Sequence, residues 1–222
     1  MATTAAFVGL SAIAQAAPIT IITWAQDTTE KLITATANGG DTQTTLVGSD
    51  VAITVGGYAN GVATPFSAYL NLTATSTGAA TIVGGDDVRQ AFAGTFTITS
   101  GTGGSGTNYL SGSFSDIALQ GSRIGGPAGG FQASLIASDP PGTVNLTSDA
   151  IAASKLQDPS AIGFTFTALS SALGICGSTI CGFTASVSGN ASASQVAVPA
   201  PAGLAFLGLG LLGLAAVRRK VA

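Results

Sequence analysis

The cysteines of this 222-residue chain, Cys176 and Cys181, stand in Gly174-Ile175-Cys176-Gly177-Ser178-Thr179-Ile180-Cys181. Four intervening residues, two of them small, can close a turn between strands. In an exported chain an even cysteine count reads as a disulfide. A ring this small removes little chain entropy, so the bond is worth about 2 kcal/mol. The spacing excludes a CxxC redox pair. Histidine is absent, which excludes Ser-His-Asp and Cys-His nucleophiles, His-ligated zinc and CxxCH haem attachment. Carboxylates remain. Ten acids could assemble a glycosidase pair in space, but no spacing in the chain selects one. Gly84-Gly85-Asp86-Asp87 offers the hard oxygens that calcium takes, yet lacks the Asp-x-Asp-x-Asp spacing and the later bidentate Glu. It reads as an acidic turn. Ser154 and Lys155 are adjacent rather than in a Ser-x-x-Lys helical pattern. Asn71, Asn145 and Asn190 begin Asn-x-Ser/Thr triplets and read as exposed strand or turn residues. No catalytic residue, metal ligand or cofactor follows from these motifs.

The composition bounds what can position such groups. Charged residues make up 8% of the chain, against about 25% in an ordinary soluble domain. Hydrophobic residues make up 46% and mean hydropathy is +0.52, so this is not a charge-rich disordered chain. Of seven Lys and Arg, three stand together at the C-terminal end. A nucleic-acid footprint, which needs clustered cations on a folded surface, is therefore excluded as a reading. One tryptophan, Trp24, and three tyrosines leave few aromatic platforms for stacking sugars.

Between the two ends the chain reads as strands and glycine-rich turns. Phe66, Ala68, Leu70, Leu72 and Ala74 alternate with Ser67, Tyr69, Asn71, Thr73 and Thr75. Phe92, Gly94, Phe96 and Ile98 alternate with Ala93, Thr95, Thr97 and Thr99. The same period of two holds Phe131, Ala133 and Leu135, then Phe164, Phe166 and Ala168, then Phe183, Ala185 and Val187. Such alternation puts one set on a buried face and the Ser/Thr set on water. Ile19–Ala25, Val51–Val55 and Tyr109–Leu119 are further strands. Within the last, apolar parity slips between Phe114 and Ile117, which predicts a β-bulge near Ser115-Asp116. Turns are expected at Asn38-Gly39-Gly40, Asn60-Gly61, Gly84-Gly85-Asp86, Gly103-Gly104 and Pro140-Pro141-Gly142. Asp149–Leu156 is the one helical pattern, about two turns, with Ser148 as its cap. Many short alternating strands predict a single all-β domain, an antiparallel β-sandwich or jelly roll, over residues 17–197. Ten acids against four bases give that stretch a net charge of −6.

The ends read as addresses. Residues 1–16 form a short apolar stretch closing on Ala14-Gln15-Ala16, the small-x-small pattern at which signal peptidase cleaves. At the other end, Val198-Pro199-Ala200-Pro201 precedes a 16-residue apolar run, 202–217, and then Arg218, Arg219 and Lys220. At about 1.5 Å per residue that run makes a transmembrane helix of roughly 24 Å, with the cations held cytoplasmic. The order of proline pair, apolar helix and basic end resembles the PEP-CTERM sorting signal, over residues 198–222. The family usually has Glu where this chain has Ala200. The resemblance implies a Gram-negative bacterium that makes exopolysaccharide, and an exosortase that recognises and cleaves the tail. Its partners are then signal peptidase, exosortase, transiently the inner membrane, and exopolysaccharide.

The expected protein is a non-enzymatic cell-surface or extracellular-matrix component exported across the inner membrane and transiently anchored there. The alternative is a secreted carboxylate-dependent hydrolase or a carbohydrate-binding module acting on exopolysaccharide.

Overall fold

The computed structural model describes residues 18–123, 133–136 and 142–195. The signal stretch 1–16 with Ala14 and Ala16, and the tail 198–222 with Val198, Pro199, Ala200, Pro201, Arg218, Arg219 and Lys220, lie outside the described residues. Among the described residues no helix is long and apolar enough to cross a membrane. Pro18–Gln195 is one compact unit.

The unit is all-β and antiparallel. Its strands are β1 (Ile19–Gln26), β2 (Ile33–Ala37), β3 (Thr44–Tyr58), β4 (Phe66–Ser76), β5 (Thr81–Val83), β6 (Asp87–Thr99) and β7 (Asn108–Ser122). There follow β8 (Ala133–Ile136), β9 (Thr143–Thr147), β10 (Gln157–Thr167), β11 (Ile175–Cys176), β12 (Thr179–Ile180) and β13 (Phe183–Ser194). β1 and β2 share one lane, since both pair with β3 on one side and β13 on the other. β4 and β5 likewise share a lane along β6, and β8 and β9 share one along β7. The lanes then follow chain order: β1/β2, β3, β4/β5, β6, β7, β8/β9, β10, β13, and back to β1.

The expected sandwich or jelly roll is thereby corrected to a closed up-and-down barrel. β6 bonds both β4 and β7, and β13 bonds both β10 and β1, so the sheet has no break at which to divide into two layers. Eight lanes enclose a space that side chains just fill. Phe92, Phe96, Phe164 and Phe166 are at most 1% exposed, and Phe183 is buried with them. Phe164 is the hub, with ring centroids 5.7 Å from Trp24, 5.6 Å from Phe96 and 6.3 Å from Phe114. Gly189 on β13 makes this possible: a Cβ there would stand 2.4 Å from the Trp24 ring.

Two local devices shape the barrel. Phe92 pairs with Ile117 but Gly94 with Phe114, so Ala93 faces both Ser115 and Asp116. This is the bulge predicted from the parity slip, and Asp116 takes φ 54° in it. A second register shift lies on β3 between Gly48 and Val51, where Asp50 takes φ 48°. Its carboxylate accepts from Asn71 Nδ2 at 3.0 Å and from the Gly103 amide at 2.6 Å, which ties down the β6–β7 turn. The helical expectation at Asp149–Leu156 is corrected to one 3₁₀ turn, Ala153–Lys155. Ser148 does not cap that turn, whose N-cap is Ala152 without a side-chain bond; its hydroxyl instead accepts from the Ala150 and Ile151 amides ahead of it, at 3.1 and 3.0 Å.

Candidate functional site

The cysteine pair lies at one mouth of the barrel. Cys176 and Cys181 are joined by a disulfide with their Cα atoms 5.0 Å apart. The bond ties the end of β11 to the residue just after β12, and Ile175 pairs with Ile180 across the hairpin. The hairpin enters the mouth with Thr179 and Ile180 fully buried. Thr179 Oγ1 lies 2.6 Å from Thr44 Oγ1 and accepts from Gln90 Nε2 at 2.9 Å. Gln90 Oε1 accepts from the Ile180 amide at 3.0 Å, while Nε2 also donates to Gly78 O at 2.7 Å. Thr44 Oγ1 donates to Ile180 O, and the Thr44 amide donates to Ser76 Oγ at 2.9 Å. Thr44 and Gln90 face inward by the parity of their strands. Polar groups this deep persist only when bonded, so this network fixes where the hairpin seats. Backbone bonds from Ala80 to Ser178 O and from Ser178 to Asp41 O, 2.8 and 2.9 Å, complete the seal.

The opposite mouth is aromatic. Tyr58, Phe66 and Tyr109 are half-buried, with Phe66 and Tyr109 centroids 4.7 Å apart and Tyr58 edge-on to both. The Tyr58 hydroxyl donates to Tyr109 O at 2.8 Å. Burial raises the Tyr58 pKa, the Ser148 hydroxyl 3.5 Å away lowers it less, and the nearby Tyr109 and Asp149 add to the rise. β1 starts and β13 ends at this mouth, with Ile19 opposite Ala193.

The outer wall is clad in hydroxyls. Val47, Thr73, Thr95, Ser113 and Asn145 form one row across five lanes, and Asn71, Thr97, Ser111 and Thr147 form the next. Two depressions lie along β7. One, about 310 Å³, is lined by Thr95, Thr97, Ser111, Ser113, Asn145 and Thr147 above Phe96 and Gly112. The other, about 420 Å³, lies where β7 ends and β8 begins, and among the described residues its lining includes the outward Asp87, Gln120, Ser134 and Ile136 and the inward pair Gly121 and Ala133.

Of the residues singled out in the sequence, the structure brings Cys176 and Cys181 together. Gly84-Gly85-Asp86 is the turn between β5 and β6, with Gly84 and Gly85 at φ 61° and 95°. Asp87 accepts from Gln120 Nε2 at 3.2 Å. Among the described residues no three His, Cys, Asp or Glu side chains gather as a metal site. The polar network at the sealed mouth was not anticipated. Its one sequence signal was Gln90, a long polar residue on the inward parity between Val88 and Phe92. The chain matches no protein-family model, no curated protein and no solved structure at a significant level.

Proposed function

We propose that this chain is an exported, non-enzymatic component of a bacterial cell surface or extracellular matrix, delivered by a signal peptide and a PEP-CTERM-like tail. The observation that carries the reading is the Cys176–Cys181 disulfide, because such bonds form and persist in oxidising compartments. The filled barrel supports it further. With the interior occupied by phenylalanine side chains, contact with a partner falls to the outer wall and the mouths. That wall is mostly neutral hydroxyls, as suits a protein working among hydrated polymers.

The test is fractionation of the native host with mass spectrometry of the protein, alkylated without reductant. The expected result is recovery in surface or secreted material, a first residue after Ala16, no peptide from Leu204 onward and no alkylated thiol. Recovery from the cytosol with both ends intact and Cys176 and Cys181 alkylated would sink the reading.

A further inference from the structure

We propose that Asn60 is a self-modifying residue at the aromatic mouth: the backbone nitrogen of Gly61 displaces its side-chain nitrogen as ammonia, and the product unfastens the rim. The reaction needs only water and does not depend on the surface or matrix reading.

Two of the six asparagines, Asn38 and Asn60, precede glycine. Having no Cβ, glycine lets its nitrogen approach the side-chain carbonyl carbon of the residue before it. The two asparagines are held differently. Asn38 Nδ2 donates to Thr42 Oγ1 at 2.9 Å, and Oδ1 accepts from the Thr42 and Gln43 amides at 2.8 and 3.3 Å. Those bonds run four and five places ahead, so they draw the amide across the turn and hold it off the Gly39 nitrogen. Asn60 instead folds over its own neighbour. Its Oδ1 accepts from the Val62 amide at 2.8 Å, two places ahead, an Asx turn that keeps Cγ beside the Asn60–Gly61 peptide. The same bond sets a donor on the oxygen that gains negative charge as the nitrogen attacks. Gly61 takes φ 83°, and a Cβ there would meet nothing within 4 Å. Residues 61–65 are all exposed, which leaves the loop free to turn and open to water.

In the first step Gly61 N loses its proton to solvent and bonds to Asn60 Cγ. The Cγ–Nδ2 bond breaks, and ammonia leaves with its electron pair and a proton from solvent. Water then opens the succinimide ring. Attack at Cγ gives aspartate; attack at the backbone carbonyl gives isoaspartate, with the chain routed through the former side chain. Either product carries a carboxylate in place of the amide. Asn60 Nδ2 donates to Ala150 O at 3.4 Å. Ser148 Oγ gathers the Ala150 and Ile151 amides and donates to Tyr109 O at 2.7 Å, so this tie fastens the β3–β4 loop to the segment lying over Tyr58 and Tyr109. A carboxylate has no donor for the Ala150 carbonyl, and it adds negative charge next to Asp149. The tie is lost and the rim loosens.

The experiment ages the full chain at mildly alkaline pH, folded and in urea, and maps its peptides by mass spectrometry, with isoaspartyl methyltransferase as the probe for isoaspartate. In the folded protein the peptide holding Asn60 should gain one mass unit and accept methyl groups, and Asn38 should react at least tenfold more slowly. In urea the two should react at comparable rates, because only the fold separates them. Gly61→Ala should slow the folded reaction at least tenfold. Amide exchange at residues 148–151 should quicken in the aged protein and in Asn60→Asp, with residues 174–181 at the far mouth unchanged. The proposal is overturned if Asn60 keeps its amide in the folded protein, if folded Asn38 reacts as fast, or if exchange at residues 148–151 stays as in the fresh parent.

Discussion

At the mouth formed by Thr44, Ser76 and Gln90 the barrel is closed by uncharged polar groups withdrawn from water, whereas at the mouth formed by Tyr58, Phe66 and Tyr109 it is closed by half-exposed rings. The first closure is directional. Each donor and acceptor of Gln90 has its partner on the β11–β12 hairpin or at Gly78, so a shifted hairpin would strand several of them at once. The second is tolerant. Ring faces and edges pack over a range of angles, and water reaches what they leave. Neutral hydrogen bonding therefore specifies one seat for the hairpin, while aromatic packing covers a mouth and leaves a titrating phenol at its rim.

Phe164→Ala removes the hub between the two mouths and should cost about 3–5 kcal/mol in a denaturant titration. Amide exchange should then quicken at both ends together; loss of protection at one end alone would show that the ends are not linked through Phe164. Gln90→Leu fills the same space without its polar atoms and leaves the Ile180 amide and Thr179 hydroxyl short of partners. A loss of about 2–3 kcal/mol is expected, with exchange quickening around residues 174–181 and little change at Tyr58. A fully stable variant would show that shape rather than bonding seats the hairpin.

Replacing both cysteines by serine should cost about 2 kcal/mol or less, because the ring is short. The Gln90 network should still hold the hairpin, which exchange at Ile180 would report. Tyr58→Phe removes one hydrogen bond to Tyr109 O, worth about 1 kcal/mol. It also changes the pH response. The folded-state pKa of Tyr58 is raised above the ordinary 10.0, so its contribution is fully present below that value and is lost as pH rises through the folded pKa. Parent and variant compared by urea titration across alkaline pH should differ less as pH climbs through that window, and a gap that stays constant would mean the phenol does not titrate with folding. Smallest are Thr95→Ala and Thr97→Ala, outward on β6, at roughly half a kcal/mol or less each. Larger losses there would mean that the outer wall is itself packed.

The strands were legible wherever one face met the core and the other met water. Phe66–Ser76 and Asp87–Thr99 alternate cleanly, and the break between Phe114 and Ile117 located the bulge because an extra residue must flip parity. Ile33–Ala37 and Thr143–Thr147 were not picked out as strands. Each is five residues long, too short for a period to stand out. Asp149–Leu156 carries helical spacing. Once Ser148 has bonded the amides of Ala150 and Ile151, its hydroxyl also donating to Tyr109 O at 2.7 Å, the segment is pinned to the rim and only a single 3₁₀ turn forms.

Composition and alternation by themselves determined that the chain is all-β, that Phe92, Phe96, Phe164, Phe166 and Phe183 face the core, and that the cysteines bond to each other. These are local matters: a residue's side of a strand depends only on its parity, and a pair five residues apart meets across one turn. Barrel against sandwich was decided by the tertiary structure alone. Alternation is identical in the two, and what separates them is that β13, the last strand, pairs with β1, the first. That contact spans the whole domain and leaves no mark in any window of sequence. The same holds for Gln90 and Thr179, which are 89 residues apart. Nothing near either one shows that a buried amide on the sixth strand will find its partner in a hairpin that returns to fill the mouth.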